Sequence, residues 1–162
     1  PRSGHARIFT WDGFAWVQQG TDINGEGQDD ASGSSVALSA DGSTAIIGAP
    51  SNNGSNGDDS GHARIYTWDS SVWVLQGDID GEAAGDQFGR SVALSADGST
   101  AIIGAPFNDS NGDGSGHARI YAWNSLTSVW VLQGADIDGC LLSPSDAADD
   151  LLCFHSCGRG CL

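Results

Sequence analysis

Two stretches of this chain carry carboxylates at alternate positions. Asp78, Asp80, Glu82 and Asp86 stand at relative positions 1, 3, 5 and 9 of one loop, and Asp22, Asn24, Glu26 and Asp30 repeat that spacing earlier in the chain. Oxygen donors spaced this way let a single loop wrap a hard cation, as calcium loops do. Both sets are therefore candidate Ca2+ ligands. The glycine such loops place at position 6 is present as Gly27 in the first set and is replaced by Ala83 in the second. A third copy starts with Asp136 and Asp138, but Cys140 takes the place of the third ligand. The run Asp109-Ser110-Asn111-Gly112-Asp113-Gly114 opens like an EF-hand loop, yet His117 stands at position 9 and Ile120 where the bidentate Glu belongs. The competing reading is a set of solvated turns, for which Asp, Asn and Gly are selected by backbone geometry with no ligand involved.

Three histidines, His5, His62 and His117, each stand two residues before an arginine, Arg7, Arg64 and Arg119. No Cys or Glu flanks them at ligand spacing and no Ser-His-Asp order is visible, so the expectation is that each Arg forms an inter-strand or inter-blade ion pair with the surplus Asp. An active site is one asymmetric constellation, whereas here each polar residue of interest recurs in equivalent positions. All four cysteines, Cys140, Cys153, Cys157 and Cys161, fall in the last 23 residues with His155 among them. Two disulfides in an oxidising compartment or a zinc ligand set are the alternatives for them.

The elements that must position these residues follow from internal repetition, which decides architecture before any local motif. Ser-Gly-His-Ala-Arg-Ile recurs at 3–8, 60–65 and 115–120, a period of 55–57 residues. SVALSADGSTAIIGAP at 35–50 returns unchanged at 91–106, and Trp-Val-Gln-Gln-Gly at 16–20 returns as Trp-Val-Leu-Gln-Gly at 73–77 and 130–134. The units are 1–59, 60–114 and a partial 115–139, followed by a non-repeat Cys-containing tail, 140–162. Within a unit, short alternating or apolar runs are punctuated by Gly, Asp, Asn and Ser, the pattern of strands and turns. In the second unit the expected strands cover His62–Trp68, 73–76, 88–96 and 100–106, with Trp68 and Trp73 paired across a hairpin and Asp97-Gly98 as a tight turn. Four antiparallel strands per repeat describe a β-propeller blade. The fold class is all-β, with about two and a half propeller-type blades and an incomplete ring.

Composition narrows the function. The 162 residues carry 6 Arg, no Lys and 21 Asp or Glu, a net charge of −15. Nucleic acid is excluded as a partner, because Lys and Arg supply most of that affinity. No apolar run approaches the roughly 18 residues of a spanning helix, so no membrane insertion is expected in this segment. An apolar content of 39% with six Trp is enough to bury a core. Asn53-Gly54-Ser55 and Asn108-Asp109-Ser110 are N-glycosylation acceptors, in keeping with an extracellular or cell-surface glycoprotein.

Phe88-Gly89 followed by Gly104-Ala105-Pro106, with Ala84-Gly85-Asp86-Gln87 before them, resembles the FG-GAP repeat, the blade unit of the integrin alpha-chain propeller. The first repeat has Ser32-Gly33 where Phe-Gly is expected and keeps Gly48-Ala49-Pro50. Integrin-like repeats carry a calcium loop between the two motifs, whereas here that interval holds only the turn at Asp97-Gly98. The resemblance implies a non-enzymatic adhesion or binding module presenting loops to a protein or glycan ligand. A self-associating structural protein and a fragment of a propeller enzyme acting on glycans are the alternatives. An incomplete ring implies a homo-oligomer or part of a longer chain. Ile8 and Phe9 at one end, and Ile120, Tyr121, Trp123 and Trp130 of a closing half-blade, are expected to line its exposed apolar face.

Overall fold

The computed structural model describes residues 3–139, and every regular element within them is a strand. The SVAL…TAIIGA stretch forms a hairpin both times: β5 (Ser35–Leu38) with β6 (Thr44–Ala49), and β9 (Ser91–Leu94) with β10 (Thr100–Ala105). Its turn is built by an aspartate. Ser95 Oγ and the Ser99 amide both donate to Asp97 Oδ1, at 2.5 and 3.1 Å, while Gly98 takes φ +70°. The same donors around Asp41, led by the Ser39 hydroxyl, hold the Asp41 carboxyl down at about 2, as their counterparts do Asp97.

The His-Ala-Arg stretch forms the other hairpin. In the middle copy β7 (His62–Trp68) pairs with β8 (Trp73–Asp80); in the last, β11 (His117–Asn124) pairs with β12 (Val129–Leu132) and β13 (Ile137–Asp138). In the first copy the hairpin is two short ladders, β1 (His5–Ala6) with β4 (Ile23–Asn24) and β2 (Phe9–Trp11) with β3 (Trp16–Gln18). The difference lies in one residue. The first and last copies carry Thr21 and Ala135 between the Gly and the Asp, and there the outer strand splits; the middle copy lacks that residue and absorbs the mismatch as a bulge between Ile65 and Tyr66. The expected Trp68–Trp73 pair forms, with ring centroids 5.4 Å apart, and the equivalent Trp11–Trp16 and Trp123–Trp130 pairs form at 5.6 and 5.8 Å.

The hairpins join in the order β5-β6-β7-β8 and β9-β10-β11-β12, with β13 also on β11. Strand β6 pairs with β7 from Thr44↔Thr67 to Ala49↔His62, and β10 with β11 from Thr100↔Ala122 to Ala105↔His117. Each sheet thus straddles a boundary of the units counted in the sequence, so the period is kept while the sheets take another phase. The reason is burial: all six residues of β6 are inside, and such a strand needs a hydrogen-bonded neighbour on both edges. The described residues hold two full propeller-type blades and an opening half-blade, and their sheets do not close on themselves.

Blades stack face to face. Ile46, Ala63 and Ile65 of the first full blade meet Ala101, Ile103 and Tyr121 of the second, with Phe88 at the centre, fully buried. Ala6 and Ile23 of the half-blade meet Ile47 and Tyr66. Gly89 turns the chain into the new blade at φ +85°, and a Cβ there would strike the His62 carbonyl. The Phe-Gly pair is thus an anchor followed by a crossing only glycine makes cheaply.

The expected exposed face is corrected on two points. The half-blade lies at the opening end, because the last His-Ala-Arg hairpin pairs with β10 and completes a sheet. Tyr121 is accordingly core, 9% exposed, and Trp130 packs against the same cluster with Trp123 inclined against it at 51°. Ile120 is half-buried on the outer face; Phe9, at 44%, is exposed as expected, and Ile8 packs inward.

Phe88→Ala is expected to lower unfolding stability by about 3–5 kcal/mol through the cavity it leaves. Phe14→Ala, at a side chain 93% exposed, should stay within about 0.5 kcal/mol. Urea unfolding followed by Trp fluorescence compares the two.

Candidate functional site

Where a blade meets its predecessor, the loop after one outer hairpin lies against the start of the next. Glu26, Gln28 and Asp30 from the loop after β4, Asn52 and Asn53 from the loop after β6, and His62, Asp78 and Asp80 line a polar cleft of ≈ 570 Å3. The two carboxylate sets are divided by this arrangement. The cleft takes Glu26 and Asp30 from one and Asp78 and Asp80 from the other. Asp22 instead accepts Arg7 Nε and Nη2 at 2.9 and 2.7 Å, and Asn24 sits opposite His5 in the β1–β4 ladder. Glu82 reaches across to Arg119 of the following blade. Asp86 is buried and shapes its own loop, accepting the Ala83 amide at 3.1 Å and Asn108 Nδ2 at 2.8 Å, and Asp30 likewise accepts the Gly27 amide at 2.5 Å.

Two equivalent clusters form at the junctions: Glu26, His62 and Asp78 at the first, Glu82, His117 and Asp136 at the second, the ligand atoms of each within 4.8 Å of one another. A guanidinium sits inside each. Arg119 Nε and Nη2 donate to the two oxygens of Asp136, both at 2.7 Å, and the same side chain pairs with Glu82. Arg64 Nη1 lies 3.2 Å from Glu26 Oε1. These are the inter-strand and inter-blade ion pairs expected of the arginines, and the guanidinium supplies the positive charge that the carboxylates require. What sequence reasoning did not find is that the Glu comes from the preceding blade. The signal available was the recurrence of Glu26 and Glu82 ahead of Arg64 and Arg119.

The junctions differ electrostatically. Arg64 leans to Glu26, its Nη2 is buried without a hydrogen-bond partner among the described residues, and Asp78 is left facing His62 Nδ1 at 3.6 Å. Burial pushes the Asp78 carboxyl above its ordinary range, and burial also lowers the pKa of His62, which is therefore neutral at pH 7. At the second junction Asp136 is held below the ordinary range, first by the hydrogen bonds from Arg119. The same repeat position thus titrates in opposite directions. Among the described residues, His62 Nε2 and His117 Nε2 are both buried without a hydrogen-bond partner.

The remaining candidates resolve into loop geometry. Asp109 Oδ1 accepts the Gly114 amide at 2.6 Å and its carbonyl accepts the Gly112 amide at 3.1 Å, so it serves the turn. The acceptor reading of Asn108 is corrected: the residue is 3% exposed and its Nδ2 is committed to Asp86, which leaves no room for a glycan. Its counterpart in the earlier loop is Asn52, also buried, whereas Asn53 is exposed. Cys140, Cys153, Cys157, Cys161 and His155 lie outside the described residues.

Residues 79–121 match the family model described as FG-GAP repeat. The likeness carried by Phe88-Gly89 and Gly104-Ala105-Pro106 therefore holds, and the chain carries an FG-GAP repeat over that stretch. No curated protein matches the chain.

Carboxyl NMR titration should place Asp78 above, and Asp136 below, the ordinary value of about 3.9. For the depressed Asp136, the contribution to stability is present above that value and is lost as pH falls through the folded one. For the raised Asp78 it is fully present below that value and is lost as pH rises through the folded one. Asp136→Asn should therefore cost stability at pH 7, about 1–3 kcal/mol for a hydrogen bond to a charged group. Asp78→Asn should leave it unchanged or raise it. Equal losses in urea unfolding at pH 7 would contradict the assignment.

Proposed function

We propose that this FG-GAP repeat protein is a non-enzymatic binding module, secreted or held at a cell surface, that presents the loop end of its blades to a protein or glycan ligand. The observation that carries this reading is the way four loops are tied into one rim. The Ser51 amide donates to the Asp30 carbonyl at 3.3 Å, the Gly85 amide to Asp58 at 2.9 Å, the Gln87 amide to Asp59 at 3.1 Å and the Phe107 amide to Asp86 at 3.4 Å. Asn56 Nδ2 donates to the Gly81 carbonyl at 2.7 Å and Asn111 Nδ2 to the Gly139 carbonyl at 2.9 Å. Loops set on a rigid scaffold are the usual site of recognition. This rim offers carboxylates, amides and hydroxyls, which suit a hydroxyl-rich sugar or a basic protein surface. The recurrence of its polar groups from blade to blade speaks against a single catalytic centre.

Calcium suits the donor types in the cleft, which Glu26, Asp30, Asp78 and Asp80 line. Arg64 draws off Glu26 and the Gly27 amide holds Asp30, so Asp78 and Asp80 are the carboxylates left to bind an ion.

Binding is tested by presenting the protein to a glycan array and to a panel of extracellular proteins. The same screen with Asn53→Ala/Asp59→Ala should lose the signal, and a ligand insensitive to loop substitution would overturn the reading. Turnover of a captured glycan would favour the enzyme alternative. For calcium, chelation should lower the melting temperature, since an ion held only by the folded state stabilises it by mass action, and Asp80→Ala should abolish the difference. Identical melting with calcium and with chelator would remove the ion from the account.

A further inference from the structure

We propose that the two ends of the blade array are the two halves of one interface, through which a second copy of this chain joins head to tail. The inference does not depend on which ligand the loops bind. Both internal junctions show how such an interface is made. At the first, the Trp68–Trp73 pair lies over Gly20 of the half-blade, so closely that an added Cβ would come within 2.9 Å of Trp68 and 3.0 Å of Trp73, and Trp73 Nε1 donates to the Gln19 carbonyl at 2.9 Å. At the second, Trp130 lies over Gly77 in the same way. Beside each glycine seat an isoleucine face is covered, and Ile46 and Ile65 are fully buried beneath the following blade.

The two ends carry the unmatched parts of this junction. At the opening end, Trp11 and Trp16, the counterparts of Trp68 and Trp73, are 56% and 68% exposed. Phe9 beside them is far more exposed than its counterparts Tyr66 and Tyr121. At the closing end the counterpart of Gly20 and Gly77 is Gly134, and open space surrounds its Cβ position. Ile102 and Ile137, the counterparts of Ile46 and Ile79, are 40% and 54% exposed. Among the described residues, one end holds a Trp pair without a seat, and the other holds a seat without a Trp pair. Complementary surfaces at opposite ends of one molecule make a heterologous contact, which builds rings or open chains rather than two-fold dimers.

The chain's own tail is a poorer occupant for either end, because residues 140–162 contain no Val, Ile or Thr to form a packed strand. One internal feature is missing: Cys140 stands where Glu26 and Glu82 supply the carboxylate for Arg64 and Arg119. The contact is therefore apolar, and added salt should strengthen it by screening the repulsion between two chains of charge −15.

Sedimentation velocity of the full chain under reducing conditions tests this. The wild type should show concentration-dependent oligomers in the micromolar range that grow with salt. Trp16→Ala, which spoils one end, and Gly134→Arg, which spoils the other, should each be monomeric. Their equimolar mixture should give a dimer and nothing larger, since each variant keeps one good end. Should Gly134→Arg fail to fold by urea unfolding, Ile137→Asp takes its place. A wild type that stays monomeric overturns the proposal, as do oligomers that survive both substitutions or a mixture that does not pair.

Discussion

A charged side chain taken out of water must meet its opposite or the fold does not hold, and at both junctions that side chain is an arginine. Arg64 and Arg119, 8% and 11% exposed, stand in the strand that forms the middle of each sheet and reach back to a glutamate on the loop of the preceding blade. Removing one partner of such a pair leaves an uncompensated buried charge, which is far more damaging than the net worth of the pair. Satisfying this one group ties the loop of one blade to the strand of the next. Arg7 shows the contrast. It is half exposed and paired within its own hairpin to Asp22.

Around that pair, the apolar layers explain why the polar cleft lies at the rim. Ile46, Ile65, Ile103 and Phe88 fill the space between sheets, and close packing there leaves polar groups only the loop end. The cleft is thus a by-product of stacking, lined by residues from two blades and complete only where two blades meet. His62 lines it at the first junction, and His117 holds the equivalent place at the second. Both are buried and neither Nε2 finds a hydrogen-bond partner among the described residues, the kind of unmet polar group that natural structures keep rare.

Much of the fold was legible in the sequence, for identifiable reasons. Alternation in His62–Trp68, the invariant SADGST turn and the tryptophans flanking each short turn report local geometry, and local geometry is what residue patterns encode. The phase of the sheets was not, since β6 pairs with β5 of its own unit and also with β7 of the next, and the apolar run of β6 shows its burial without showing which strand takes its second edge. The carboxylate sets show the same limit from the side of function. Spacing along one loop suggested that Asp78, Asp80, Glu82 and Asp86 act together, but β8 stays extended to Asp80. Glu82 then leans forward and Asp86 turns inward, so neighbours in sequence serve different blades.

Face-to-face stacking also sets how the molecule holds together as a length rather than as a ball. Among the described residues the apolar clusters join each blade to its neighbour, so stability accumulates by nearest-neighbour terms, as in any one-dimensional array. The blade from Ser35 to Asp80 is clasped on both faces, while the half-blade and the last blade are clasped on one among the described residues. Such a molecule loosens from its ends inward, and the most economical way for it to become more robust is to gain a neighbour.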